Sequence, residues 1–514
     1  MSGTVPASFC WFDYETFGTS PVWDRPSQFA AIRTDASLEP LGEPEVIWCR
    51  QSDDYLPHPG ACRVTGITPE EANRRGVPEH RFIERVRRLL GAPGTCSVGY
   101  NSVRFDDEFT RHTLFRNLHD PYAHEYKDGA SRWDLLDVVR LVRALRPDGI
   151  VWPQADDGRP SNRLEDLSAA NGLADGRAHD ALVDVRATIA LARLIRARQP
   201  RLFDFALAHR GKAAVARLLD VSIDIAERRP VVLVSPGVPA TRHHLALVLP
   251  LVRHPDKANA VIVLDLARDP AMLAGLDSAS IAERVFARGM RSDDPGRPGL
   301  HVVATNKCPV VAPETVLRAS DAERLGIDLA AHERHREVLL DLLGRGKGDA
   351  GQNLARAPAR APGGQVTSAD LPATIQAAMA RPFTDDAPVD VDASLYAGGF
   401  LSGADRARLD RVRAMKAATS EIPNDGFDDA RLVEMVFRYR ARNYPDTLDT
   451  VERKRWRQHV ETRLGAGEDV PWLSLAGFER AMHEQDWRED ETGMRDALSR
   501  YAESLSCPGD RPRP

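Results

Sequence analysis

The protein is a chain of 514 residues with a net charge of −6, 42% hydrophobic and 28% charged residues, too long for one ordinary core, so two or three domains are expected. No apolar run approaches the roughly 20 residues of a membrane span. The first eight residues have neither the basic start nor the apolar stretch of a secretion signal. The acidic balance leaves any contact with nucleic acid to local patches.

Residues 1–200 read as alternating strands and helices. Phe9, Cys10, Trp11 and Phe12 make an apolar strand leading into Asp13, and residues 28–34 and 45–49 have the composition of further strands. Phe82, Ile83, Val86, Leu89 and Leu90 recur at helical spacing until Gly91 ends the helix. Residues 95–100 return to strand character. Residues 133–145 and 182–195 are predicted helical, the latter with Leu182, Val185, Ile189 and Ala192 on one face. This predicts an α/β domain with a mixed sheet.

Over 201–348, short β-rich runs at 231–234, 260–266 and 301–304 stand among helical pieces, the texture of a small barrel with helical decoration. Residues 348–365, rich in Gly, Ala and Pro, read as a linker inside a linker region spanning 349–388. Residues 389–507 are dominated by helical patterns dense in Arg, Asp and Glu, and 508–514 read as a disordered tail. The six cysteines Cys10, Cys49, Cys62, Cys96, Cys308 and Cys507 contain no C-x-x-C pair. That excludes a zinc ribbon or a disulfide framework and predicts a reducing cytoplasm.

Three segments supply the acids that two-metal phosphodiester hydrolysis requires, in which carboxylates converge on two divalent cations about 3.5–4 Å apart. Asp13 and Glu15 stand at i and i+2 on the first strand, so both leave the same face about 7 Å apart. Asp106 ends the run Tyr100-Asn101-Ser102-Val103-Arg104-Phe105-Asp106, where a strand gives way to a helix. His179 precedes Asp184 by five positions at another helix start. An imidazole there can take a proton from an attacking water, because its ordinary pKa lies near working pH. Singly, each piece has a structural reading: a solvated strand edge, an acidic helix N-terminus favoured by the dipole, a loop histidine. Their joint order points to a metal-dependent nuclease.

The same three segments resemble the motifs of the DEDD exonuclease superfamily in its histidine variant. Longer blocks are similar to bacterial exonuclease I nearly residue for residue. They include Phe12-Asp13-Tyr14-Glu15-Thr16-Phe17-Gly18, residues 25–35, 53–57, 98–107, 132–137 and 178–180, and Gln199-Pro200-Arg201-Leu202-Phe203. Thr305-Asn306-Lys307-Cys308-Pro309 and Tyr439-Arg440-Ala441-Arg442-Asn443-Tyr444-Pro445 extend the likeness over most of the chain.

The resemblance implies an α/β ribonuclease H-like exonuclease domain, an SH3-like β-barrel domain with helices and a helical C-terminal domain, closing as a clamp around single-stranded DNA. It implies processive 3′ to 5′ degradation to 5′-mononucleotides in DNA repair and recombination, by a cytoplasmic monomer using two Mg²⁺ ions, or Mn²⁺. Position by position, it makes Asp13, Glu15, Asp106 and Asp184 metal ligands, sets Glu15 also near the terminal nucleotide, and makes His179 the general base. Arg163 matches a residue that contacts the substrate. Arg140 matches a basic position along the strand path, with a plain helix-surface charge as the alternative.

Arg440 and Arg442 fall in a matched block and are expected to touch DNA. They belong to a cluster with Arg438, Arg453, Lys454, Arg455 and Arg457, whose alternative is pairing with Asp446, Asp449 and Glu452. The family also docks the acidic, hydrophobic C-terminal tail of single-stranded DNA-binding protein. Arg146 and Arg318 match basic positions of that site, and Phe205 stands where the family has a tyrosine.

The chain departs from the family pattern in places. Residues 201–350 hold only Phe203, Phe205 and Phe286 as aromatics, and residues 245–248 are aliphatic where the family carries rings. Grip there must come from charge, which steepens the dependence on salt. Glu333 and Leu340 stand where the tail site would have a leucine and an arginine. The alternative activity is RNase T-like or oligoribonuclease-like trimming of RNA 3′ ends, in which 2′-hydroxyls help. The long matched C-terminal region favours DNA.

Overall fold

The computed structural model describes residues 6–173, 180–287, 294–344, 371–380, 390–414 and 426–506. His179, the stretch 348–365, Cys507 and the tail 508–514 lie outside the described residues. The chain forms two compact units, each drawn from separated segments. One comprises Pro6–Ser131, Asp175–Ile189 and Asp385–Pro514; the other comprises Met1–Val5, Arg132–Ala174 and Ala190–Thr384.

The first unit is built on strands β1 (Ser8–Thr16), β2 (Pro26–Thr34), β3 (Glu45–Trp48) and β4 (Thr95–Gly99). These four lie in the order β3-β2-β1-β4, and β5 (Ser131–Asp134) starts at the last residue before the chain enters the second unit. β1 runs antiparallel to β2 and parallel to β4, so a crossover must separate β1 from β4; the helix Glu79–Leu90 lies within it. On one face of β1, Cys10, Phe12 and Tyr14 bury against Phe29, Ile47, Phe82, Val86 and Leu114. Asp13 and Glu15 alternate with that apolar set and so project from the opposite face.

Helices Arg431–Asn443, Thr450–Leu464, Leu475–Glu484 and Thr492–Ser506 share a core with the N-terminal segments. Phe437, Trp456, Phe478 and Leu498 pack there with Phe17, Trp48, Tyr55 and Leu56. The helix Thr450–Leu464 starts at Thr450 because Asp449 and Glu452 cap each other's backbone N–H groups at 2.8 and 3.0 Å.

In the second unit, β6 (Val231–Val234), β7 (Leu245–Arg253), β8 (Ala260–Asp265), β9 (Leu300–Ala304) and β10 (Val310–Pro313) form an antiparallel sheet ordered β10-β6-β7-β8-β9. Alternate residues Val231, Leu233, Ala246, Val248, Val261 and Val263 face one core with Val215 and Leu219.

Two expectations are corrected. Trp133 and Asp134 are strand, and the helix begins at Leu135, because the Asp134 carboxylate accepts from the Leu136 N–H at 3.0 Å and caps it there. The linker region 349–388 contains a helix, Leu371–Met379, whose Leu371, Ile375, Ala378 and Met379 are buried and whose Gln376 side chain donates to the Arg253 carbonyl at 2.8 Å. Apolar residues at helical spacing decide the matter over the flanking Gly and Pro. Among the described residues no helix is long and apolar enough to cross a membrane. The thiols of Cys10, Cys49, Cys62, Cys96 and Cys308 are buried, and none forms a disulfide.

Candidate active site

Strand β1 delivers the first two acids. Asp13 pairs with Ala30 and Glu15 with Gln28 across the β1–β2 ladder, and a register shift follows Glu15. The third comes from the turn after β4. A Cβ on Gly99 would stand 2.5 Å from that of Ser102, and Asn101 is left-handed at φ 65°, a conformation asparagine tolerates. That tight turn sets Asp106 at the start of the helix Asp106–Arg116, whose first turn also carries Asp107 and Glu108, where the helix dipole favours negative charge. Asp184 lies in the first turn of the helix Ala181–Arg198. Asp180 caps that helix, accepting from the Leu182 and Val183 N–H groups at 3.0 and 3.4 Å.

Carboxylate oxygens of Asp13, Glu15 and Asp184 lie within 4.8 Å of one another. Glu15 and Asp106 are buried, while Asp13 and Asp184 are half-buried. Burial, then the charges of Asp106 and Asp184, raise the Asp13 carboxyl well above its ordinary range. Burial, then Asp13, Asp184 and Asp180, push Glu15 up to about 9. Such a cluster holds protons or a cation. The donors are all carboxylate oxygens, which suit a hard divalent cation rather than a thiolate-seeking metal. No second group of this kind occurs among the described residues.

Two hydroxyls support the acids, and sequence reasoning missed both. Thr110 Oγ1 donates to the Asp106 carbonyl at 2.9 Å, so the 2.9 Å contact between Tyr14 OH and Thr110 Oγ1 has tyrosine as donor. This chain ties the strand bearing Asp13 and Glu15 to the helix bearing Asp106. Thr188 Oγ1 donates likewise to the Asp184 carbonyl at 2.8 Å. The available signal was a threonine four residues after each helical aspartate.

The basic residues divide. Arg440 and Arg442 do not form a surface track, which corrects that expectation. Arg440 is buried and bonds both Glu452 oxygens, at 2.6 and 3.3 Å. Arg442 is buried between Asp54, at 2.7 Å, and Asp392, at 2.5 Å. A guanidinium inside the fold requires such partners, and the acids supply them. Arg438 is buried on Asp390 and Asp392 as well. Arg455 pairs with Glu434 and covers the Phe437 ring at 3.9 Å, while Arg453, Lys454 and Arg457 stay exposed.

In the second unit, Arg163 is exposed beside Glu165, and Arg140 is half-buried, 2.6 Å from Asp137. Arg146 bonds Asp321 at 2.6 Å and the Val316 carbonyl at 2.9 Å; Arg318 is exposed. Phe205 is half-buried and stacks on His209 with ring centroids 4.0 Å apart.

Residues 10–192 match an Exonuclease family, 210–344 the Exonuclease I SH3-like domain and 389–505 the Exonuclease I C-terminal domain. The chain is 45% identical to exodeoxyribonuclease I of Escherichia coli K12 over 506 residues, covering 98% of this chain and 99% of that one. A moderately thermophilic exonuclease I from Methylocaldum szegediense has a TM-score of 0.84 at 42% identity, covering 98% of this chain and 100% of its own. The zinc-bound complex of E. coli exonuclease I with single-stranded DNA has a TM-score of 0.85 at 40% identity, with 98% and 100% coverage. The three domain matches follow in order, and the relatives are covered end to end: the chain belongs to the exonuclease I family.

Proposed function

We propose that this enzyme degrades single-stranded DNA processively from its 3′ end to 5′-mononucleotides, in DNA repair and recombination. One observation carries the reading: carboxylate oxygens of Asp13, Glu15 and Asp184 converge within 4.8 Å. Asp13, Glu15, Asp106 and Asp184 would hold two Mg²⁺ ions, or Mn²⁺. When bound, the cations supply charge neutralisation at the scissile phosphate and acidity to the attacking water.

The chain's own groups do the rest. His179, in the segment leading to Asp184, takes the proton of the water that attacks the terminal phosphodiester in line. Glu15 also contacts the terminal nucleotide. Tyr14 and Thr110 fix the spacing of the acids through the 2.9 Å bonds described above. Exposed Arg163 can exchange Glu165 for a phosphate of the strand, Arg140 adds charge on its path, and Arg453, Lys454 and Arg457 extend the track.

In this reading the parts 1–200, 201–348 and 389–507 all serve the strand, and a cytoplasmic monomer is the working form. Buried cysteine thiols fit a reducing compartment. Arg318, Phe205 and Arg146, the last bonded to Asp321, form the dock for the acidic tail of single-stranded DNA-binding protein. A fluorescent tail peptide without saturable binding at low salt would remove that partner.

A time course on end-labelled oligomers tests the activity. Single-stranded DNA is shortened from its 3′ end, duplex DNA resists, and a chelator stops the reaction. Faster loss of RNA than of DNA would instead indicate a 3′ RNA trimmer.

A further inference from the structure

The helix Asp106–Arg116 carries a candidate metal ligand at one end. At the other end, about 15 Å away, it runs into a hub of bonds centred on Glu79. Glu79 is the first residue of the helix Glu79–Leu90 and accepts from three side chains. Arg116 reaches it with two prongs, Nη2 to Oε1 at 2.7 Å and Nε to Oε2 at 3.1 Å. Asn117 Nδ2 donates to Oε2 at 2.9 Å, and Arg25 Nη1 lies 3.3 and 3.4 Å from the two oxygens. Arg25, Arg116 and Asn117 are 4%, 2% and 1% exposed, so water cannot take the place of these bonds.

Glu79 thereby braces two of the segments that deliver the acids. Midway along the helix Asp106–Arg116, Tyr14 holds Thr110. Thr110 is about 6 Å from Asp106 along the axis and about 9 Å from Arg116. With Thr110 as pivot, a shift of about 1 Å at Arg116 moves Asp106 by about 0.7 Å. That exceeds the roughly 0.5 Å within which a catalytic constellation has to be held. The second arm runs through Arg25. Glu15 pairs with Gln28 and Thr16 with Pro26, so Ser27 is an extra residue on β2, a bulge beside Glu15. Bulges of this kind re-aim the neighbouring side chains. The Phe17 N–H closes the bulge by donating to the Arg25 carbonyl at 2.9 Å. The Arg25 side chain that fixes this corner ends on Glu79, with Asp54 at 3.9 Å as its other acid.

We propose that Glu79 is a positioning residue for the metal site: one carboxylate keeps the helix of Asp106 and the bulge beside Glu15 in mutual register. This rests on the reading of Asp13, Glu15, Asp106 and Asp184 as metal ligands. Glutamine in its place offers a single acceptor oxygen, and its NH₂ group meets the donors of Arg25, Arg116 or Asn117. Aspartate keeps the charge but is shorter by one methylene, about 1.5 Å, so it draws Arg116 in or lets Arg25 go.

The test is Mn²⁺ binding by titration calorimetry without DNA, then cutting of a thymidine oligomer, on variants whose circular dichroism matches that of the parent. Glu79→Gln and Glu79→Asp bind Mn²⁺ about tenfold more weakly. Their kcat falls at least as far, while KM for the oligomer stays within about twofold. Arg116→Lys, which keeps the charge and gives up the two-pronged contact, moves the same readouts in the same direction. Ile375→Ala, a buried change in the second unit, controls for lost stability and keeps parental Mn²⁺ binding and kcat. Parental Mn²⁺ binding and kcat in the folded members of the Glu79 and Arg116 set would overturn the proposal, since the hub then serves stability alone. An equal loss in Ile375→Ala would do the same, as would a rise in KM with kcat unchanged. A parent that binds no Mn²⁺, or whose binding survives Asp184→Asn unaltered, removes the ligand reading itself and the role of Glu79 with it.

Discussion

Arg442→Met removes the centre of a buried charge network and separates a structural role from a DNA contact. The Arg442 side chain is 3% exposed; it holds Asp54, which is 0% exposed, at 2.7 Å and Asp392 at 2.5 Å. Breaking a buried pair by removing one partner costs about 3–5 kcal/mol, because the other charge stays buried. Here Arg25 remains 3.9 Å from Asp54, and Arg438 remains 3.2 Å from Asp392, so the lower figure, about 3 kcal/mol, is expected.

The pH dependence follows with a definite sign. Burial alone would raise Asp54, but Arg442, His459 and Arg25 more than offset it and hold the carboxyl well below its ordinary range. Asp392 is likewise lowered, as Arg442 and Arg438 outweigh its burial. A depressed folded pKa adds stability that is complete above the unfolded value, about 4, and is lost as pH falls toward the folded one. The gap between parent and variant therefore narrows as pH drops below about 4. Urea unfolding followed by tryptophan fluorescence measures it, and Trp456 is a near reporter, with the Arg442 guanidinium 5.8 Å from its ring. A variant with the parental urea midpoint, whose DNA affinity has lost about one unit of salt slope, would refute the reasoning and return Arg442 to the DNA track.

Other outcomes can be stated briefly. Asp184→Asn lowers cutting at least about a thousandfold, since several kcal/mol of charge stabilisation go with a metal ligand; Mn²⁺ no longer raises its melting temperature, and a variant still stabilised by Mn²⁺ counts against the site. In metal-free protein, Glu15 has a folded pKa pushed up from 4.5 to about 9, so its contribution is present at low pH and lost as pH rises through that window. Added Mg²⁺ therefore stabilises more at pH 8 than at pH 6 by calorimetry (about the middle of that window), and an equal gain at both would contradict the clustering. Ile375→Ala costs about 2–4 kcal/mol, because Ile375 is 1% exposed; a linker residue would cost nothing in the same melt. Replacing Arg453, Lys454 and Arg457 together by Gln lowers the salt slope of DNA binding by up to about three units with no change in melting.

The candidate site was legible where local pattern determines position. Asp13 and Glu15 share a face because strands repeat every two residues, and Asp106 sits at a helix start because the apolar run ends at a tight turn. The core face of the helix Glu79–Leu90 followed from spacing alone. What stayed hidden depends on neighbours distant in sequence. Nothing local to Arg442 announces Asp54, 388 positions away, as its partner. Strands β7 and β10 escaped notice, although their runs are buried on both faces just as are those of β6 and β8, which read as β-rich. The Tyr14–Thr110 bond joins elements 96 positions apart, so only half of it, the threonine after Asp106, could be seen.

The charge network also changes what the family-like blocks mean. Residues 53–57 and Tyr439-Arg440-Ala441-Arg442-Asn443-Tyr444-Pro445 both resemble exonuclease I, and they are partners of one another. Arg442 bonds Asp54, and Arg463 donates to the Asp54 carbonyl at 3.1 Å. Asn443 accepts from the His80 N–H at 3.3 Å. These blocks hold the C-terminal helices against the segments that follow β2 and β3, in the same core that buries Phe17 and Trp48 beside Phe437 and Trp456. Phe17 is two residues beyond Glu15. The helical C-terminal part is therefore packed into the same unit that carries Asp13, Glu15 and Asp106, where its buried arginines bond Asp54, Asp390 and Asp392. Arg453, Lys454 and Arg457, on the exposed side of the helix Thr450–Leu464, are not consumed by these contacts.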